Sequence, residues 1–286
     1  MYNNKDIPPL LEEEYLEYEK PYNMLDDYLS KHNIELFDKL AGIFYGASLV
    51  TCGINGIWSH ELNELFNFVN ILINNNIQIP NNIQIPNNNQ IPNNNCKSSY
   101  KNYNFIKCIP IMLCKKWKYS IIKYLYTINT NITHLYANYL LLLMLRSLIT
   151  NEKINDIFED KEYFFNNRES KLLDEYISYY KSNDILDSID LTEKNNTKNV
   201  LKTLGCAIHA FNMIEKKNND EINYNDELFN VYYRGGDRIM NTTVVSILIG
   251  AKLGYKKIPV DRVEKIIDRK YIDLTLINLF NKLMTL

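Results

Sequence analysis

The stretch FDKLAGIFYGASLV, residues 37–50, most limits what this chain can fold into. Its small residues, Ala41, Gly42, Gly46, Ala47 and Ser48, recur at helical spacing within an apolar run. Residues three and four apart share one face of a helix, so small side chains there let a second helix approach closely. The next stretch, HELNELFNFVNILI, places Leu62, Leu65, Phe66, Val69, Leu72 and Ile73 at helix periodicity. Helical patterning resumes over 104–150, 153–186, 197–216 and 241–254, and further helices are expected at Val260–Ile267 and in the tail IDLTLINLFNKLM. Few segments alternate with period two, so the expected fold is all-α.

With 286 residues and 46% hydrophobic content, the chain can bury one sizeable core. Residues 1–36 are polar and acidic, and Pro8 and Pro9 resist helix until Leu10. A loose arm or a short amphipathic helix is expected there, ahead of one helical domain over 37–286. Residues 74–95 read NNNIQIPNNIQIPNNNQIPNNN, with Pro80, Pro86 and Pro92 six residues apart. Proline and asparagine at this density oppose both helix and central strand, which predicts a disordered surface loop inside the domain. The run Tyr139–Leu148 is too short to span a bilayer and contains Arg146, so it reads as a buried helix and not as a membrane segment. A net charge of −2 argues against a general nucleic-acid binder. Five cysteines without a C-x-x-C pair, behind an acidic N-terminus with no leader pattern, predict reduced thiols in a cytoplasmic, intracellular setting.

Four stretches carry residues suited to chemistry. In RGGDRIMNTT, residues 234–243, Gly235 and Gly236 permit unusual backbone angles, and Asp237 stands where a helix opens. The ordinary reading is an N-cap; the sharper one is a metal or phosphate site at a helix N-terminus. Ser59, His60 and Glu61 offer a hydroxyl, an imidazole and a carboxylate at another helix start. There too, Ser59 as a cap with Glu61 favoured by the helix dipole is the ordinary reading. Thr133 and His134 lead into the Leu-rich helix, as a cap and a first-turn residue. Lys107 is a lone cation in FIKCIPI, a setting in which lysine usually snorkels.

Taken in order, these stretches resemble the ADP-ribosylglycohydrolase family, all-α enzymes with a two-magnesium centre between helices. The sequence GGDRIMNTTVVSILIGAKLGYKKIP is similar to that family's Gly-Gly-Asp-x-Asp-Thr motif and the helix after it. Upstream, NVLKTLGCAIHAFNMIE resembles the helix before that motif. GIFYGASLVTCG looks like the family's GxxxGxAxGDAxG, WSHEL like its WTDDT metal motif, and IKCIPIM followed by ITH like its MRxxPIG followed by ITH. The landmarks span about residues 37–270 in the family's order. The resemblance implies a compact orthogonal helical bundle and action on, or recognition of, ADP-ribose or ADP-ribosylated protein by a monomer. It implies Glu61 and Asp237 as catalytic acids, and Ser59, His60, Glu61 and Asp237 as metal ligands. It also implies Lys107, His134, Gly235 and Gly236 as substrate-binding residues.

The departures bear on activity. Ile239 stands where the family has its second Asp, Met240 where it has Thr, His60 where it has Asp, and Val50 and Thr51 where it has Gly-Asp. Magnesium prefers carboxylate and hydroxyl oxygens, so these changes predict an impaired centre. The implied magnesium is then lost, or replaced by a divalent metal such as zinc that accepts imidazole. Three functions remain open: a glycosidic-bond hydrolase, a non-catalytic ADP-ribose-binding pseudoenzyme, and a scaffold that works through its acidic arm and Asn/Pro loop.

Overall fold

The computed structural model describes residues 24–51, 60–78, 104–127, 132–154, 156–159, 167–182, 185–192, 199–266 and 268–286. The described residues are helical, with no strand among them. In chain order the α-helices are α1 (Met24–His32), α2 (Glu35–Thr51), α3 (His60–Asn74), α4 (Asn104–Cys108), α5 (Trp117–Thr127), α6 (Ile132–Thr150) and α7 (Asn167–Tyr180). They continue as α8 (Ile185–Ser188), α9 (Val200–Lys216), α10 (Tyr224–Arg234), α11 (Arg238–Leu253), α12 (Val260–Val263) and α13 (Arg269–Met284).

The small-residue stripe finds its partner in α11. The two helices run antiparallel, Gly42 against Gly250 and Gly46 against Ser246. A Cβ added at Gly46 would lie 2.6 Å from the Ser246 carbonyl oxygen, and one at Gly42 would lie 2.8 Å from the Gly250 carbonyl carbon. The Ser246 hydroxyl donates to the Gly46 carbonyl at 2.7 Å and pairs with the Tyr224 hydroxyl at 2.5 Å, fastening α2 and α10 to the same turn of α11. One turn further, the Asp38 carboxylate accepts from the Lys256 N–H at 3.2 Å, just past the left-handed Gly254 that ends α11. The four-residue step that pairs 42 with 250 and 46 with 246 brings Thr51 level with Asn241. The end of α2 and the start of α11 therefore share one end of the molecule.

Helix α6 is buried on nearly every side and packs against α2, α9 and α11. It alone among the described helices has the length and apolarity to cross a membrane, and most of it lies inside the protein. Lys39 is almost fully buried, and its Nζ donates to the Leu148 carbonyl at 3.0 Å and to Asn151 at 3.1 Å. This cation closes the C-terminus of α6, where carbonyls lack intrahelical donors. Arg146 donates to the Met112 carbonyl at 2.6 Å and lies over the Trp117 ring. Those two contacts hold the one charge in the Leu-rich run.

Of the two forms expected for residues 1–36, the part from Met24 to His32 takes the helical one. Leu25 and Leu29 bury one face of α1 against α13. Three stretches depart from their expected helical spans. Pro110 has no N–H to donate, and the chain tightens into a 3-10 turn at Ile109–Leu113 between α4 and α5. The described residues between 151 and 159 are turns and irregular chain, where the Asp156 carboxylate accepts from the Phe158 N–H, so the helix expected from 153 is described only from Asn167. The helix expected over Val260–Ile267 is a single turn at Val260–Val263. The Asn/Pro repeat is described only as far as Gln78; its remainder and residues 1–23 lie outside the described residues.

Candidate functional site

The best-defined candidate is the turn between α10 and α11. Gly235 and Gly236 adopt φ of +99° and +66°, backbone that L side chains rarely take. Both pack on the Leu191 carbonyl; a Cβ at Gly236 would lie 3.3 Å from that oxygen and 3.0 Å from the Asn241 amide nitrogen. The glycines thus serve close approach as well as conformation. An ion pair between Arg234 and Asp187 binds the end of α10 to α8 on the same side.

Asp237 then opens α11. Its carboxylate accepts from the Met240 N–H at 3.2 Å, which makes it an N-cap. Four residues in, Asn241 is buried and accepts from the Thr203 hydroxyl at 2.8 Å while its amide reaches the Gly235 carbonyl at 3.4 Å. Thr203 also stands four residues past a cap, because Asn199 caps α9 through the Leu201 N–H at 2.9 Å. The first turns of α9 and α11 consequently lie side by side, joined through the same position of each. Each contributes about half a positive charge from N–H groups that have no intrahelical acceptor. Thr242 buries its hydroxyl beside this junction with no hydrogen-bond partner among the described residues. Lys202 donates to the Asp190 carbonyl at 2.7 Å, which pins the segment carrying Leu191.

The other sequence candidates are placed as follows. Lys107 on α4 forms an ion pair with Glu64 of α3, both partly buried. His134 is half-buried in the first turn of α6, and burial lowers its pKa. It lies far along α6 from the Lys39 clamp, which holds the other end of that helix beside the start of α2. His60 and Glu61 are the first residues of α3; their side chains and Ser59, on which the cap reading rests, lie outside the described residues.

Asp237 remains the one carboxylate of the second motif. Ile239 is 57% exposed and Met240 is buried, and neither side chain carries an oxygen. No cluster of three or more His, Cys, Asp or Glu suited to a metal occurs among the described residues. This half of the donor set does not fit a binuclear magnesium centre, which needs several hard oxygens. The residues that sequence reading passed over are Thr203, Asn241 and Leu191. Asn241 stands in the polar run Asn241–Thr243 at the head of an apolar helix, and nothing local marks any of the three as a junction. No protein-family model and no curated protein matches the chain.

Proposed function

We propose that this protein recognises ADP-ribose, free or attached to protein, as a divergent ADP-ribosylglycohydrolase-like chain without a working binuclear magnesium centre. The observation that carries the reading is the pairing of the α9 and α11 N-termini through Thr203 and Asn241, beside the Gly235–Gly236 turn. Two adjacent helix N-termini beside a glycine turn suit a diphosphate, which accepts N–H donors and is drawn to their partial positive charge. The order of motifs along the chain supplies the nucleoside part of the proposal. Ile239 and Met240 argue for binding over turnover, because hydrolysis in such a site relies on metal-bound oxygens to activate water.

Calorimetric titration of ADP-ribose, first with magnesium and then with chelator, tests this. Binding that persists in chelator, and that survives Asp237→Asn, is expected. The asparagine keeps a cap and removes a negative charge from the anion's neighbourhood. Binding that requires magnesium and is lost in Asp237→Asn would establish the hydrolase-type centre instead. No binding under either condition would leave the scaffold reading.

A further inference from the structure

The face of α10 next to this turn is aromatic, cationic and exposed. Phe229, Tyr232 and Tyr233 are 43%, 39% and 76% exposed, on one side of the helix. Their rings form a continuous set, with Phe229 and Tyr233 centroids 6.0 Å apart and Tyr232 and Tyr233 5.7 Å apart. An arginine stands over each end. Arg262, from α12, is 5.7 Å from the Phe229 ring, and Arg238, the first residue of α11, is 5.5 Å from the Tyr232 ring. Ile239 and Val260, neighbours in sequence of those arginines, are exposed as well. Clustered exposed rings flanked by charge are characteristic of contact surfaces, and a guanidinium already oriented by a ring keeps its in-plane N–H groups available for carboxylates.

We propose that residues 10–19 of this chain, LLEEEYLEYE, dock on this aromatic and arginine face. The segment alternates Glu12, Glu13, Glu14, Glu17 and Glu19 with Leu10, Leu11, Tyr15, Leu16 and Tyr18, the complement of rings bracketed by cations. The segment that carries Arg262 is also basic in sequence, although its Arg269 is engaged internally with Asp273 and Tyr255. Residues 252–270 hold seven basic side chains against three acidic ones, whereas residues 1–23 hold six acidic against two basic. Asp226 on α10, Asp261 on α12 and Glu264 just after it are the acids closest in sequence to the rings and to Arg262, and they do not reverse that balance. The point of attachment fits too. Residue 24 begins α1, and Asp26 on its first turn feels the charges of Lys256 and Arg269, at either end of the segment that carries Arg262. From Met24 the extended chain reaches about 18 Å to Glu19 and about 50 Å to Leu10, so the segment runs outward from the α1 end across that range.

The test places the photo-crosslinker p-benzoylphenylalanine at position 15 of the full chain, in place of Tyr15, and maps the crosslinked peptides by mass spectrometry. Intramolecular crosslinks to the peptides holding Phe229–Tyr233 or Val260–Arg262 are expected. Their yield should be independent of protein concentration and fall several-fold in about 0.5 M salt, where surface charges are screened. The double variant R238E/R262E should lower the yield likewise, with circular dichroism reporting whether it is folded; the salt series on the unaltered face stands alone if it is not. Crosslinks to another face, none at all, or crosslinks that appear only as covalent dimers and grow with concentration would overturn the proposal. The last result would assign the face to a second copy.

Discussion

Gly250 and Gly42 show how little room a backbone contact leaves. Replacing a helical glycine by alanine ordinarily stabilises a helix by about 1 kcal/mol. Here the new Cβ of Gly250→Ala would lie 2.6 Å from the Gly42 carbonyl carbon, which no rotamer can relieve. The variant should therefore lose about 1–3 kcal/mol in urea unfolding, the range for overpacked cores. Stability equal to the parent protein's would mean that α2 and α11 can separate at little cost. Gly42 was legible in the sequence because small residues at helical spacing imply a close neighbour; Gly250 as that neighbour was not. The Thr203–Asn241 bond was not, since its partners are 38 positions apart and obey no spacing rule. Asp237 was legible as a cap, and the structure shows it as one.

Between elements, the joint of α13 with α2 is held by buried titratable groups. Asp273 of α13 is 2% exposed and accepts the Tyr45 hydroxyl of α2, while Arg269 lies 3.9 Å from its other oxygen and donates to the Tyr255 hydroxyl at 3.0 Å. Burial raises the Asp273 pKa, and the Tyr45 bond and the Arg269 charge only partly offset it. A carboxyl whose folded pKa is raised binds its proton more tightly in the native state than in the unfolded chain. Its contribution to stability is fully present below the unfolded value, near 3.8, and is lost as pH rises through the folded value. Asp273→Asn cannot ionise, so the stability of the unaltered protein minus that of the variant should decrease as pH climbs from about 4. Denaturant melts of both proteins at several pH values measure it, and a difference that grows with pH would refute the assignment. The long helices were readable from periodicity, whereas the interruption at Ile109–Leu113 and the turns from 151 were not placed. Apolar spacing reports which side of a segment is buried and is nearly silent on where the backbone leaves the helix, which Pro110 and the Asp156 carboxylate decide locally.

Across the molecule, α11 is the common neighbour: α2, α6, α9 and α10 all pack on it, and its first turn carries the candidate site. That explains why the all-α class was legible while the site was only half so. A buried axis imposes strong periodicity on every helix around it, but the junction at its end is made of single contacts from separate segments. The Gly42–Gly250 contact has a further consequence, in time. Two backbones that touch without side chains between them cannot part by small, independent excursions, so their amide protons become accessible to solvent only when the whole bundle opens. Native-state hydrogen exchange should find the amides of Ile43–Ala47 and Ile247–Ala251 exchanging with the free energy of global unfolding, while the single-turn α12 exchanges through cheaper local openings. Equal rates in both places would mean that the two central helices breathe apart on their own, and the slowest clock in the protein would have to be sought elsewhere.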